Sequence, residues 1–297
     1  MTYAQYRAAW GKAPEVTPGI PLNVDIELSA VCNLKCPFCF LQNKDYKSGG
    51  LMLANTAMDI IDQAHAIGVP AIKTQWRGES TIHPAFSTIL EYAKSKGFLD
   101  ILVNTNGNFT ESAIDGLVSA TKVMVSVDSM ETTTYHKMRR GGNLMRVLNN
   151  ISRLLLAGQK NIWVRRVVTD DNRAEDFVGL VRHVFGNEVK VSEHAVFERG
   201  GDTDKPTKRA YCGYPSQRLV VANNGDIFPC CVDYFGTLKL GNVKTDGLMD
   251  VWNGKRIEQL REGLKTGQFY PGQCGDCRSW MGYADKRREL VADKEIA

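Results

Sequence analysis

Three cysteines, at 32, 36 and 39, constrain this chain more than any other feature of its 297 residues. The stretch before them carries Val24, Ile26 and Leu28 in alternation, which predicts a strand, and the cysteines follow in a loop at its end. Three soft thiolate ligands on one short loop suit either zinc or an iron–sulfur cluster. A zinc knuckle would pair Cys-x2-Cys with a second such pair nearby, and a structural cluster would have its fourth cysteine close in sequence; neither surrounds residues 32–39. Three thiolates satisfy only three irons of a cubane, so the fourth is left open for another ligand.

The rest of the chain repeats a strand-then-helix rhythm. Strands are predicted at Ala71–Trp76, Asp100–Asn104, Lys122–Val127, Ile162–Val168 and Val189–His194, with helices at Ala54–Ile67, Pro84–Lys96, Glu111–Ser119, Leu144–Ala157 and Phe177–Phe185. Six strands alternating with helices predict a parallel α/β sheet with right-handed crossovers and a site at the C-terminal strand ends. Residues 1–20 read as an N-terminal arm, 21–197 as the α/β unit, 198–211 as a linker and 212–297 as a second, cysteine-bearing domain. The eight cysteines fall into two groups, Cys32, Cys36 and Cys39, then Cys212, Cys230, Cys231, Cys274 and Cys277, as two metal centres would require. Composition is that of an ordinary soluble protein, 43% hydrophobic and 24% charged. Its net charge of +4 with interspersed signs gives no indication of nucleic-acid binding. Neither a signal-peptide core nor a membrane-length apolar stretch is present, so a cytoplasmic location without membrane insertion is expected.

The cysteine loop resembles the signature of the radical S-adenosylmethionine (SAM) superfamily, CxxxCxφC with an aromatic at φ, here Phe38. That resemblance implies an open, six-stranded partial (β/α)6 TIM barrel whose three-cysteine [4Fe-4S] cluster binds SAM through its free iron. It also implies a function for later segments. Arg77-Gly78-Glu79-Ser80 resembles the family's Gly-Gly-Glu-Pro run, so Gly78 and Glu79 would hold the SAM amino group, although Arg77 and Ser80 depart from the pattern. Asn104-Thr105-Asn106-Gly107 and Ser126-Val127-Asp128 resemble segments that meet the ribose and carboxylate of SAM, which makes Asn104, Ser126 and Asp128 candidates. The Tyr135 to Gly142 segment offers Arg139 as a carboxylate fork. On strand five, Arg165 and Arg166 are adjacent and so face opposite ways; Arg165 is taken as the ligand-side residue.

The second cysteine group resembles the SPASM and shorter twitch extensions of radical SAM enzymes, the twitch-type aminocyclitol dehydrogenases above all. The implied fold is a small α+β iron–sulfur domain in which Cys212, Cys230, Cys274 and Cys277 hold one auxiliary [4Fe-4S] cluster. Cysteine spacing alone leaves structural zinc as an alternative there. Cys231 is then spare.

Family chemistry implies reductive cleavage of SAM to a 5′-deoxyadenosyl radical, fed by a flavodoxin- or ferredoxin-type electron donor. The radical takes hydrogen from an unactivated C–H. Cys231 as hydrogen donor gives an epimerase; electron loss to the auxiliary cluster gives an oxidoreductase performing dehydrogenation or bond formation. The lack of a leader-binding domain points to a small polar substrate such as a sugar or aminocyclitol, with a peptide second. A non-enzyme alternative, an iron–sulfur electron-transfer or zinc interaction module, explains the cysteines but needs none of the SAM-type segments.

Overall fold

The computed structural model describes residues 1–13, 15–195, 212–266, 274 and 277; the expected linker, 198–211, lies outside them. Helix α1 (Tyr3–Lys12) leads into β1 (Asn23–Ile26), α2 (Ala54–Ala66), β2 (Ala71–Lys73), α3 (Phe86–Ser95) and β3 (Asp100–Thr105). There follow α4 (Ile114–Ser119), β4 (Lys122–Ser126), α5 (Thr132–Met138), α6 (Leu144–Leu156), β5 (Ile162–Val168), α7 (Phe177–Phe185) and β6 (Lys190–Ala195). These six strands run parallel in the order of the chain, as a half-open TIM barrel requires. The short helix α5, inserted before α6, was not expected from the sequence pattern.

Side-chain alternation builds two faces. Val24, Ile26, Val103, Val123, Val125, Ile162 and Val164 are buried in one cluster with the helices. Their neighbours in sequence, among them Asp25, Asn104, Met124, Ser126, Trp163 and Arg165, therefore line the inner wall of the barrel. Helix α6 follows the same logic: Val147, Ile151 and Leu154 face the core, and Asn143 caps its start by accepting from Arg146 N at 2.9 Å. Helix α1 starts on a capping box between Thr2 and Gln5, and its Tyr6 packs with Ala13, Leu22 and Ala71 at the N-terminal end of the barrel.

The six strands are not the whole sheet. Strand β7 (Arg218–Val221) pairs in parallel with β1, β8 (Asp226–Phe228) runs antiparallel to β7, and β9 (Gly241–Asn242) antiparallel to β8. Nine strands thus form one sheet among the described residues. Helices α8 (Leu248–Trp252) and α9 (Lys255–Thr266) add Leu248, Val251, Trp252 and Ile257 to the same core as β1 and α2. Trp252 is fully buried and donates through Nε1 to Pro18 O at 3.1 Å. The cysteine-bearing part is therefore seated on the barrel through main-chain hydrogen bonds and shared apolar packing. Among the described residues no helix is long and apolar enough to cross a membrane.

A shared core predicts shared unfolding. Urea denaturation followed by tryptophan fluorescence and by far-UV circular dichroism should give one coincident transition. Trp252→Ala should lower its free energy by about 3–5 kcal/mol, and two separated transitions would contradict the common core.

Candidate active site

The cysteine loop is closed at its neck by an antiparallel bridge between Ser29 and Leu51, with Ala30 N donating to Gly50 O and Met52 N to Leu28 O. Inside it, Cys36 is buried while Cys32 and Cys39 are partly exposed. N–H groups are aimed at sulfur: Leu34 N and Asn106 Nδ2 reach Cys32 Sγ at 3.4 and 3.7 Å, and Arg139 Nη1 reaches Cys36 Sγ at 3.9 Å. Burial pushes the Cys32 thiol up to about 11 and raises Cys36 as well, so these sulfurs become thiolates when a metal takes the proton's place. Cys36 lies within electrostatic reach of both Cys32 and Cys39. Among the described residues no three His, Cys, Asp or Glu side chains are gathered tightly enough for a single ion; a cubane asks instead for one thiolate on each of three irons. Three thiols on one loop, two of them met by N–H donors, fit that group.

The loop after β2 lies against the cysteine loop. Gly78 N donates to Ser29 O at 3.1 Å and Glu79 N to Val31 O at 2.9 Å. A Cβ at residue 78 would stand 2.2 Å from Val31 O and 2.6 Å from Ser29 O, so only glycine fits. Glu79 is buried, which pushes its carboxyl up, and four donors oppose that shift. Thr81 N, Thr81 Oγ1 and Thr105 Oγ1 meet Oε1 at 3.3, 2.7 and 2.8 Å, and Asn106 N meets Oε2 at 2.7 Å. Its carboxylate ties the β2 loop to the end of β3, where Asn106 bonds Asn33 Oδ1 at 2.7 Å and so reaches the cysteine loop.

At the neighbouring strand ends, Asn104 Oδ1 is buried on the inner wall and has no hydrogen-bond partner among the described residues. Ser126 closes β4 on the same wall, beside Arg165 in register. Asp128 adopts φ 68°, a left-handed conformation that asparagine and aspartate tolerate best among side chains with a Cβ. Its carboxylate accepts from Val167 N at 2.8 Å and from Arg139 Nε at 2.7 Å. Burial opposes the charge on Arg139, but Asp128 and Cys36 outweigh it and hold the guanidinium charged. The same guanidinium lies 5.6 Å from the centroid of the Phe38 ring, which is itself exposed. Arg166 points outward to Glu193 and the carbonyls of Asn172 and Glu175, whereas Arg165 points inward, to His194 Nε2 at 3.3 Å and Met124 Sδ at 3.5 Å. Burial lowers Arg165's hold on its proton, and no carboxylate forms a salt bridge with it among the described residues.

In the second cysteine group the side chains of Cys230 and Cys231 share a hydrogen bond; Cys230 also lies within electrostatic reach of Cys212 and accepts from Val232 N at 3.3 Å. Cys274 and Cys277 are each partly exposed. Cys231 packs against the cluster of Trp76, Val220, Ala222 and Phe228, and Asp25, Lys73 and Arg218 are the charged groups around it. Asp25 and Arg218 are paired at 3.0 Å. Asn106, Trp76, Arg77, Asp25 and Arg218 were not singled out as site residues from the sequence. A polar residue alternating into an apolar strand, as at Asp25, is the signal that marks an inner wall.

The sequence matches the radical SAM superfamily over residues 26–184 and an iron–sulfur cluster-binding domain, SPASM, over residues 212–278. A probable GTP 3′,8-cyclase of Methanococcus maripaludis is 29% identical over 147 residues, 49% of each protein, so the chain spans about half the length of the curated relatives it matches first. In fold, the Streptococcus suis protein SuiB, solved bound to S-adenosylmethionine, superposes with a TM-score of 0.68 at 18% identity, covering 93% of this chain and 74% of that one. BtrN, solved with AdoMet and 2-DOIA, gives a TM-score of 0.55 at 18% identity over 84% and 88% of the two chains.

The Asp128–Arg139 pair gives a direct stability test of this geometry. Asp128→Asn keeps the left-handed backbone accessible but leaves a buried guanidinium without its anion, which should cost about 3 kcal/mol in chemical denaturation. Unchanged stability would mean that the pair is not formed.

Proposed function

The chain belongs to the radical SAM superfamily, and from that premise we propose that it is an epimerase in which Cys231 returns a hydrogen atom to a carbon-centred substrate radical. It is a radical SAM enzyme with a SPASM domain, and its cofactors are SAM and two [4Fe-4S] clusters. Cys32, Cys36 and Cys39 would hold the first cluster, and Cys212, Cys230, Cys274 and Cys277 the second. When bound, the SAM-side pair supplies one-electron cleavage of SAM to a 5′-deoxyadenosyl group that takes hydrogen from carbon.

The remaining roles belong to the chain's own side chains. The Gly78–Glu79 segment, Asn104, Ser126 and the Asp128–Arg139 pair surround the mouth beside the cysteine loop and would seat SAM; the orphaned Asn104 Oδ1 is an acceptor waiting for a donor. Phe38 would pack over it, and Arg165, inward and without a salt-bridged carboxylate among the described residues, would take an anionic group of SAM or substrate. An inner wall carrying Asp25, Lys73, Asn104, Ser126 and Arg165 suits a polar substrate, a sugar, aminocyclitol or peptide, whose hydroxyl or charged groups need partners in a partly desolvated chamber. Holding the target carbon there and excluding water is the protein's contribution to rate.

The observation that carries the epimerase reading is the position of Cys231, a fifth thiol beside the four that would hold the second cluster. Its side chain shares a hydrogen bond with Cys230, packs against Trp76 and lies near Asp25, Lys73 and Arg218 of the inner wall. A thiol free of metal can give up its hydrogen atom. The S–H bond breaks as the C–H bond forms, leaving a sulfur radical that needs one electron and one proton to reset. A low-potential protein donor of flavodoxin or ferredoxin type would supply that electron, as well as the one spent on SAM. In the rival reading the second cluster, held by Cys212, Cys230, Cys274 and Cys277, would serve as electron acceptor, and the outcome would be dehydrogenation or bond formation.

Polar metabolites screened in deuterium oxide separate the two. Epimerisation gives a product of unchanged composition carrying one solvent deuterium at the inverted carbon, because a thiol exchanges with water. The Cys231→Ala variant should retain both clusters and still cleave SAM but form no epimer. Normal product from that variant, or a product two hydrogens lighter without solvent label, would replace epimerisation by oxidation.

A further inference from the structure

We propose that Trp76 and Arg77 are positioning residues that fasten the Cys231 loop to the β2 loop, so that SAM and the hydrogen donor are held by adjacent residues of one short segment. The inference rests on the donor role given to Cys231, and it assigns a purpose to Arg77, the residue at which this chain departs from a glycine.

The contacts are specific. Trp76 Nε1 donates to Cys231 O at 2.9 Å, and Arg77 Nη1 donates to Tyr234 O at 3.2 Å, so two successive residues of the β2 loop grip the backbone on either side of Val232 and Asp233. Arg77 is itself held by a fork to Glu27, Nε to Oε1 and Nη2 to Oε2, both at 2.6 Å. Glu27 is fully buried at the end of β1 and also accepts from Asn223 N at 3.0 Å. With its amide oriented to suit its neighbours, Asn223 donates to Glu27 Oε2 at 3.2 Å and accepts from Gly50 N at 3.0 Å. Burial alone would raise the carboxyl of Glu27; the fork and the Asn223 N–H oppose that, and Glu27 in turn keeps Arg77 charged against its own burial.

Aromatic rings complete the seat. Tyr234 stacks on Phe40, directly after Cys39, with centroids 3.9 Å apart and planes 5° from parallel. The Arg77 guanidinium lies 4.0 Å from the centroid of the Trp76 ring, and Trp76 meets Phe228 at 5.1 Å. Immediately after Arg77, Gly78 N and Glu79 N are bonded to the backbone of the cysteine loop. Four consecutive residues therefore hold the Cys231 loop with the first two and the cysteine loop with the last two. A glycine at 77 would leave Glu27 buried without its counter-charge and Tyr234 O without this donor.

The test uses the holoenzyme with both clusters loaded under anaerobic conditions, in which the seven other cysteines are ligands. N-ethylmaleimide labelling with SAM present, located by peptide mass spectrometry, then reports the exposure of Cys231. Trp76→Phe removes one hydrogen bond and keeps the ring; the double variant Glu27→Gln with Arg77→Gln removes the second without stranding a buried charge. Trp76→Phe should speed Cys231 labelling about 5- to 10-fold, the effect of losing one neutral hydrogen bond from a closed state, and the double variant, which loses a charged one, at least as much. Each should also raise the ratio of 5′-deoxyadenosine to product, a change that general destabilisation, lowering both together, would not give. Labelling at the wild-type rate in both variants would overturn the proposal. Faster labelling combined with normal product from Cys231→Ala would remove the donor role and leave the positioning role standing, and the reverse pair of results would do the opposite.

Discussion

A buried ion pair at the end of the first strand carries much of the architecture. Taking Glu27 and Arg77 out of water costs several kcal/mol per ion, and the cost is offset only when geometry is close to ideal and the remaining polar atoms are satisfied. Both conditions are met: the fork is bidentate, the carboxylate gains a backbone N–H from Asn223, and the third guanidinium nitrogen finds Tyr234 O. Glu27 belongs to the barrel, and Asn223 and Tyr234 to the SPASM region. The pair is satisfied only when the two regions are docked, so a local charge requirement enforces a global arrangement.

Glu79 plays a comparable part on the other side of the mouth. Its carboxylate gathers Thr81, Thr105 and Asn106, and Asn106 reaches both Cys32 Sγ and Asn33. The cysteine loop, the β2 loop and the end of β3 thus share one hydrogen-bonded network. Preorganisation of this kind is what a site requires when its chemistry depends on holding one C–H bond near one reactive carbon and away from water.

Much of this was legible in the sequence because it is written in local patterns. The three cysteines, the Gly78–Glu79 pair after the second strand, and the alternation of strands and helices are short-range signals, and each fell where the fold puts it. The pairing of β1 with β7 joins Asn23 to Arg218 across most of the chain, through strands of four residues each; no periodicity within either announces the other. Arg77 read as a departure from glycine because its meaning lies in Glu27, fifty residues earlier. The asparagines of residues 104–106 show the same limit. Strand alternation correctly turns Asn104 inward, but Asn106 lies beyond the strand end, where the chain's turn directs it to the cysteine loop. For Arg165 and Arg166, strand alternation says only that they face apart; the partners of Arg166 on the outer side agree with the choice of Arg165 as the ligand-side residue.

The most direct test of the central assignment needs no substrate. Reconstituted anaerobically, the wild-type chain should hold about eight irons, two cubanes' worth, and with dithionite and SAM it should release 5′-deoxyadenosine. Replacing Cys32, Cys36 and Cys39 together with alanine should abolish that product while about half of the iron remains on the second cysteine group. 5′-Deoxyadenosine formed at the wild-type rate by the triple variant would contradict the assignment of these cysteines, and with it the radical SAM chemistry of the site.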